Sequence, residues 1–475
     1  MSDESETISL KQIFRHSEAK DIFTSVDIEE DGEFIATGDS SGKVWIYNWE
    51  ADDSLKTDQS EDTSSSISID NEESNEKTTK LIKRSKLRKN MTMDKNILEA
   101  RQKMAEKIKL KQSPEINNNG DGTFDFYGQF QSHEPSFDYL KSLEIDEGIC
   151  MVKWLPRQSY SLFLISTNDK MIKLWKIYER SLIKPEDYGF RNVETDYGKF
   201  IRLPNFKMSA NVTAVSMRNQ FKDAHAYHIN SISINDDKET FLSADDLRIN
   251  IWNLENSAET YNVVDIKPEK MESLKEVITT ATFHPMQRPI FLYGTNEGSL
   301  KFNDLRMSSN FDVSLKESEK MFNDVTSAIA DIKFLPCENE IITRNYLSLT
   351  NWDVRQERYP LRQISVMDKV QSNLITLYES DLIFDKFECA INSEGSRCVT
   401  GTYGSQFVSW DLEKNRDTIY KFSNISCDVK EEKTFPTDNL SVRPLNIAYR
   451  PNSDQFVTTQ NQTLSIFETG KNDDF

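Results

Sequence analysis

The chain has 475 residues, a formal net charge of −20 and 11% aromatic residues, which is material for one large domain or two to three ordinary ones. The acidic balance argues against nucleic acid as a partner and for partners that carry basic segments. No apolar run approaches the length of a bilayer-spanning helix, so no membrane role is expected.

In chain order, the opening MSDESETISLKQ is acidic and polar, unlike a secretory leader. ISLKQIFRH at 8–16 reads as a first strand. Residues 23–50, FTSVDIEEDGEFIATGDSSGKVWIYNWE, read as strand, acidic turn, strand, Ser-Gly turn, strand. Residues 51–122 change character, first acidic and Ser-rich (ADDSLKTDQSEDTSSSISIDNEESNE), then basic (KTTKLIKRSKLRKN). Such composition buries too little apolar surface to offset chain ordering, so a disordered insertion in or after the first unit is expected. Within it, 93–111 carries Ile97, Met104 and Ile108 near one helical face, and Lys83, Arg84, Lys86, Arg88 and Lys89 fit an import signal or an anionic-partner patch.

The ending of the first unit, KVWIYNWE at 43–50, returns six times: MIKLWKIYE at 171–179, LRINIWNLE at 247–255, SLKFNDLR at 299–306, LSLTNWDVR at 347–355, QFVSWDLE at 406–413 and TLSIFETG at 463–470. A second feature recurs, a short strand closed by proline: VKWLP at 152–156, TFHP at 282–285, KFLP at 333–336 and AYRP at 448–451. Proline cannot donate to a ladder and suits a strand end. Residues 177–225 form a second insertion, between the second and third units. There FIRLPNF (200–206) and NVTAVSMRNQF (211–221) are expected to make a protruding hairpin. A lone hairpin is marginal in water, so Ile201, Leu203, Phe206, Val215, Met217 and Phe221 need a second surface, the body of the protein or a partner. Seven repeated strand endings predict an all-β fold, a single seven-bladed WD-type β-propeller over 1–475, with the 8–16 strand sealing the ring in the last blade.

Chemistry is harder to find. The cysteines at 150, 337, 389, 398 and 427 are odd in number, scattered and without a CxxC pair, which fits free, mostly buried thiols in a reducing cytosolic or nuclear setting. Histidines stand only at 16, 133, 225, 228 and 284, and the i, i+3 spacing of His225 and His228 in strand-like sequence gives no shared metal face. There is no GxSxG, HExxH or phosphate-binding Gly-rich turn. The adjacent Asp245 and Asp246 read as one turn residue and one surface residue rather than a catalytic pair. A binding module without cofactor or metal is expected, not an enzyme.

Seven stretches carry a family resemblance: FQSHEPSFDYLKSLEI (130–145), STNDKMIKLWKI (166–177), AHAYHINSISINDDKETFLSADDLRINIWNLE (224–255), NVVDIKP (262–268), EVITTATFHP (276–285), RNYLSL (344–349) and LYESDLIFDKFEC (377–389). Together they resemble the B-family regulatory subunit of protein phosphatase type 2A, strongly over 125–415 and more weakly at 20–50 and 440–470. The resemblance implies a heterotrimer in which the hairpin and one face dock on a helical-repeat scaffold subunit, next to a metal-holding catalytic subunit. The opposite face would recruit phosphoprotein substrates with basic segments. Carried over by motif, Tyr227, His228, Asp246, Met271, Glu272, Leu274, Phe384 and Lys386 fall on that face. It also implies cytoplasmic and nuclear residence and work in mitosis. The chain departs from the family's pattern in the 51–122 insertion, in the loosely matching hairpin, around Ala19 and Ser40, and in a short 414–439 segment that lacks a strong basic cluster. A propeller adaptor in a chromatin or ubiquitin-ligase assembly is the alternative.

Overall fold

The computed structural model describes residues 7–15, 21–50, 115–118, 123–139, 142–157, 161–194, 200–307, 326–337, 339–356, 359–367, 374–422, 427–430, 440 and 442–470. Seven antiparallel sheets among them are arranged as the blades of a propeller, and a small two-stranded sheet, Ser136–Asp138 with Leu143–Ile145, lies in the connection between the first two blades. The first strands of consecutive blades contact one another in turn, and the seventh blade's Pro444–Tyr449 meets Phe23–Ile28 of the first, so the ring closes. Each of the seven repeated endings is the third strand of a blade: Lys43–Glu50, Ile172–Glu194, Arg248–Asn253, Leu300–Asp304, Ser348–Asp353, Gln406–Asp411 and Thr463–Gly470. The proline-closed segments are first strands, such as Met151–Trp154 and Ile329–Phe334.

Thr7–Arg15 pairs antiparallel with Thr463–Gly470, so the strand nearest the start of the chain is an outer strand of the last blade, as the sequence pattern predicts. This join ties two distant parts of the chain together and protects an edge that would otherwise be unpaired.

The core is divided among the seams. Among the described residues, seven apolar clusters each lie between two neighbouring blades. Between blades two and three, for example, Ile165, Leu174 and Phe221 pack on Phe241 and Trp252. Second strands are buried along nearly their whole length, as in Thr240–Asp245, where only Thr240 is partly exposed, because both faces of a blade meet a neighbour. The seams leave little room where one blade's second strand passes the next blade's first. A Cβ at Gly401 would lie 1.8 Å from the Pro444 carbonyl oxygen, so only glycine fits there.

Two boundaries differ from expectation. Glu115–Asn118, inside the expected insertion, is a strand that pairs with Thr7–Arg15 and adds a fifth strand to the last blade. Thr123–Gln131 follows as the fourth strand of the first blade, so the chain leaves that blade between its third and fourth strands and touches the last blade before returning. Residues 51–114 and 119–122 lie outside the described residues.

The hairpin also differs. Phe200–Phe221 is one continuous strand, so 200–206 and 211–221 do not pair with each other. Their partner is Ile172–Glu194, with Ile201 opposite Val193, Phe206 opposite Pro185 and Val215 opposite Ile177. The third and fourth strands of the second blade simply continue beyond the ring. No glycine or Asn-Gly pair stands between 206 and 211 to turn the chain, and β-branched Val212, Thr213 and Val215 favour extension.

Candidate functional site

In a four-stranded antiparallel blade, the start of the first strand, the turn between second and third strands, and the end of the fourth all lie at one end of the ring. Every residue assigned by motif to the recruiting face falls at such a place. Tyr227 and His228 precede Ile229–Ile234. Asp246 lies in the turn between Thr240–Asp245 and Arg248–Asn253. Met271, Glu272 and Leu274 stand in the connection to Ile278–Phe283, and Phe384 and Lys386 precede Cys389–Ile391. The hairpin grows from the end of a third strand and the start of a fourth, so by the same rule it leaves from the opposite end.

At the first end, Asn230 joins two of these residues. Its amide donates to Asp246 Oδ1 at 2.7 Å, and its Oδ1 accepts from Lys386 Nζ at 2.7 Å. The Asp246 carboxylate is half-buried and faces the Lys386 ammonium, so its charge is partly compensated. The Asp246 carbonyl accepts from the Ile278 N–H at 2.9 Å, which anchors the loop that carries Leu274. Met271 and Glu272 of that loop are exposed and Leu274 is half-buried. Phe384 is 57% exposed and lies 6.1 Å, ring to ring, from exposed Tyr378. Adjoining it is a mostly apolar cavity of about 180 Å³, lined by Phe384, Lys386, Phe387, Ile329 and Tyr346 among others.

His228 belongs to a second group. Its Nδ1 is 3.1 Å from Asp169 Oδ1, and the Cys150 thiol donates to the same oxygen at 3.1 Å. The His228 hydrogen bond, opposed by burial, holds the Asp169 carboxyl below its ordinary range. Burial and the adjacent Asp169 push the Cys150 thiol up.

At the axis of the ring is a channel of about 640 Å³, lined by the first strands of blades two to six. Two of its lysines are paired with carboxylates: Lys153 with Asp27 at 2.7 Å and Lys333 with Asp331 at 3.3 Å. Burial, aided by the Asp331 carboxylate, pushes Glu388 up to about 7.

The two adjacent aspartates serve differently. Asp245 is fully buried: its Oδ2 lies 2.9 Å from His225 Nδ1, and its Oδ1 accepts the backbone N–H groups of Leu247 and Arg248. His225 Nε2 in turn meets Ser243 Oγ at 2.6 Å, and Ser243 Oγ accepts the Trp252 indole N–H at 2.8 Å. This His225–Asp245–Ser243–Trp252 relay links the blade's entry segment to its second and third strands and satisfies polar groups that would be costly to bury unpaired. Judging His225 only as a metal ligand misses it. The sequence signal lies in the spacing of a His before the first strand, a Ser-Ala-Asp at the end of the second and a Trp on the third.

Of the six hairpin candidates, Phe221 is a correction. It is 1% exposed and packs edge-on against Phe241 and Trp252, so it belongs to the core seam between blades two and three. Val215 is half-buried and packs on the seam between blades one and two. Met217 is 50% exposed. The side chains of Ile201, Leu203 and Phe206 lie outside the described residues. The root of the hairpin is braced on the first blade, where Thr213 Oγ1 donates to the Tyr127 carbonyl at 3.0 Å.

Comparison with known proteins matches residues 218–253 to the WD domain, G-beta repeat family, a match that spans most of the third blade with its relay. The chain is 39% identical over 379 residues to a protein of Carassius auratus, the beta isoform of the 55 kDa regulatory B subunit of serine/threonine-protein phosphatase 2A, across 73% of this chain and 85% of that protein. It is 43% identical over 335 residues to the corresponding gamma isoform of Mus musculus, across 67% of this chain and 74% of that protein.

Proposed function

This chain belongs to the family of 55 kDa regulatory B subunits of serine/threonine-protein phosphatase 2A, and we propose from that membership that it docks on the scaffold subunit of a phosphatase heterotrimer and recruits substrates to the catalytic subunit. Its relatives are named regulatory rather than catalytic subunits, and the chain is a regulator, not an enzyme. They also favour this reading over an adaptor in a chromatin or ubiquitin-ligase assembly.

One observation carries the division of labour. The recruiting candidates gather at one end of the ring, and the long hairpin leaves from the other. A subunit that holds a scaffold with one end can present a substrate with the other, so both partners bind at once without competing. The two strands, 23 and 22 residues long with their blade portions included, are long enough to carry the hairpin well beyond the blades. At the opposite end, the half-buried Asp246 offers a carboxylate to a basic segment, while Leu274, Phe384 and the neighbouring cavity offer apolar contact. Charge then raises the encounter rate and apolar contact sets the lifetime. Residence in cytoplasm and nucleus, with substrates in mitosis, completes the proposal.

The test is co-purification of the tagged chain from cells, followed by phosphatase assay. The expected result is a stoichiometric scaffold–catalytic pair, with activity that disappears when the pair is washed away. A chain that captures no such pair, or that hydrolyses phosphopeptide alone, refutes the proposal.

A further inference from the structure

We propose that Cys150, Asp169 and His228 form a binding site for a soft or borderline transition-metal dication, zinc being the best match, at the rim of the ring. One potential ligand atom from each residue lies within 4.8 Å of the others. Cys150 Sγ is 3.1 Å from Asp169 Oδ1, His228 Nδ1 is 3.1 Å from the same oxygen, and His228 Nε2 is 4.0 Å from Cys150 Sγ. Zinc takes sulfur at about 2.3 Å and nitrogen or oxygen at about 2.0–2.2 Å, so tetrahedral ligand atoms stand roughly 3.2–3.7 Å apart. The two separations from Asp169 Oδ1 lie just under that range, and the third, measured to the other imidazole nitrogen, lies just above it; a small turn of the exposed ring would direct one nitrogen at the point between Sγ and Oδ1.

The three residues come from separate segments held together by the backbone. The Cys150 N–H donates to the Thr167 carbonyl at 2.8 Å, and the Ile229 N–H donates to the carbonyl of Asp169 at 3.1 Å. These bonds lock the segment before blade two, the turn after its second strand and the segment before blade three. The ligand positions are thus fixed by the ring rather than by the ligands' own hydrogen bonds. The His225 and His228 spacing gives no hint of this, because the partners of His228 stand far away in the sequence.

The chemistry of the set selects the metal. Thiolate, imidazole and carboxylate together suit zinc and its neighbours and disfavour magnesium or calcium, which need all-oxygen shells. Cys150 enters as a thiol. On binding, its S–H proton leaves to solvent and a sulfur–metal bond replaces the S–H···O hydrogen bond, so the site gains metal and loses one proton. The side chains of His228 and Asp169 are 54% and 32% exposed, which leaves a fourth position open to water or to a partner's side chain. Two nearby cations are already held: Lys386 by Asn230, and Lys170, whose ammonium donates to the Ala226 carbonyl at 2.5 Å. This inference does not depend on the recruiting role of the same end of the ring.

The experiment uses the full chain, reduced, stripped with chelator and titrated with Co²⁺ as a spectroscopic probe. One equivalent should produce a saturable thiolate-to-cobalt charge-transfer band, and Zn²⁺ should abolish it. Cys150→Ser should remove the band. Asp169→Asn and His228→Gln should each weaken binding roughly tenfold or more. Cys337→Ser, which removes an exposed thiol on another blade, should leave the band intact. Melting temperatures in chelator check folding, and His228→Gln, altered at an exposed ring, keeps the test valid if Cys150→Ser is destabilised. Absence of a one-equivalent band in the parent chain overturns the proposal. So does a band that survives Cys150→Ser, or affinity unchanged in His228→Gln.

Discussion

If Asp246 reads basic segments, removing its charge alone should weaken recruitment, and removing the cation opposite should strengthen it. Asp246→Asn keeps an acceptor for the Asn230 amide, which sits 2.7 Å from Asp246 Oδ1, so the turn has no reason to rearrange. A hydrogen bond to a charged group contributes about 1.5–3 kcal/mol and a neutral one about 0.5–1.5 kcal/mol, so the exchange costs about 1 kcal/mol. Lys386 already compensates part of the carboxylate, which places the loss at the lower end, roughly three- to tenfold in Kd. Lys386→Met uncovers the carboxylate and should move affinity the other way by a similar factor. The double variant should fall between the two single variants, because the lysine repels a basic segment whether or not Asp246 is charged. Surface-binding kinetics with a basic phosphopeptide at about 0.05 and 0.5 M salt measure all three, with scaffold–catalytic binding followed in parallel. The difference between parent and Asp246→Asn should shrink at high salt, as screening shortens the field. Unchanged low-salt affinity in Asp246→Asn, or the same sign in both single variants, refutes the reasoning.

Other outcomes follow from the fold. Leu203→Asp combined with Phe206→Asp should abolish scaffold binding while leaving the melting temperature of the isolated chain nearly unchanged, since both positions lie on the part of the hairpin beyond the blade; retained binding in a pull-down would assign docking to another surface. Phe221→Ala should lower unfolding free energy by about 3–5 kcal/mol in denaturant titration, whereas Met217→Ala should change it little; equal effects would contradict the seam assignment. Glu388 holds its proton up to about 7 in the folded chain against an ordinary value of 4.5, so its ionisation costs stability progressively as pH rises through that window. Glu388→Gln should therefore gain on the parent chain in melting temperature as pH rises from about 5 to about 8, and parallel curves would refute it.

The strand endings and proline-closed strands are legible in the sequence because third and first strands face a seam on both sides and read as short apolar runs ending in Trp, Phe or Pro. Most fourth strands are not. Thr260–Asp265 and Arg362–Ser365 are largely exposed and carry little apolar signal. Glu115–Asn118 is hidden for a different reason: a four-residue edge strand with two asparagines has the composition of a loop, and only its partner Thr7–Arg15 makes it a strand. The hairpin is visible in the sequence but its pairing is not. Its two arms belong to Ile172–Glu194 and Phe200–Phe221, and a tryptophan-containing third strand gives no sign that it continues past its own blade.

The site follows the same division. Positions fixed by strand order can be placed from sequence: once Asp246 follows a second strand and Lys386 precedes a first strand, antiparallel geometry sends both to one end. What pairs with what cannot, because the contacts join residues far apart in the chain. Asn230 meets Lys386 across 156 positions and Cys150 approaches His228 across 78. Local spacing is informative only for partners that share a strand or a turn, as in the His225–Asp245–Ser243–Trp252 relay, where all four residues serve one blade. A closed ring adds a second kind of neighbour, one blade or several away, and brings their loops together at the channel mouth. Pairs of this second kind carry the charge compensation at Asp246 and the ligand set at Cys150. They are therefore where two chains of this family with the same blade motifs can differ in the partners they accept.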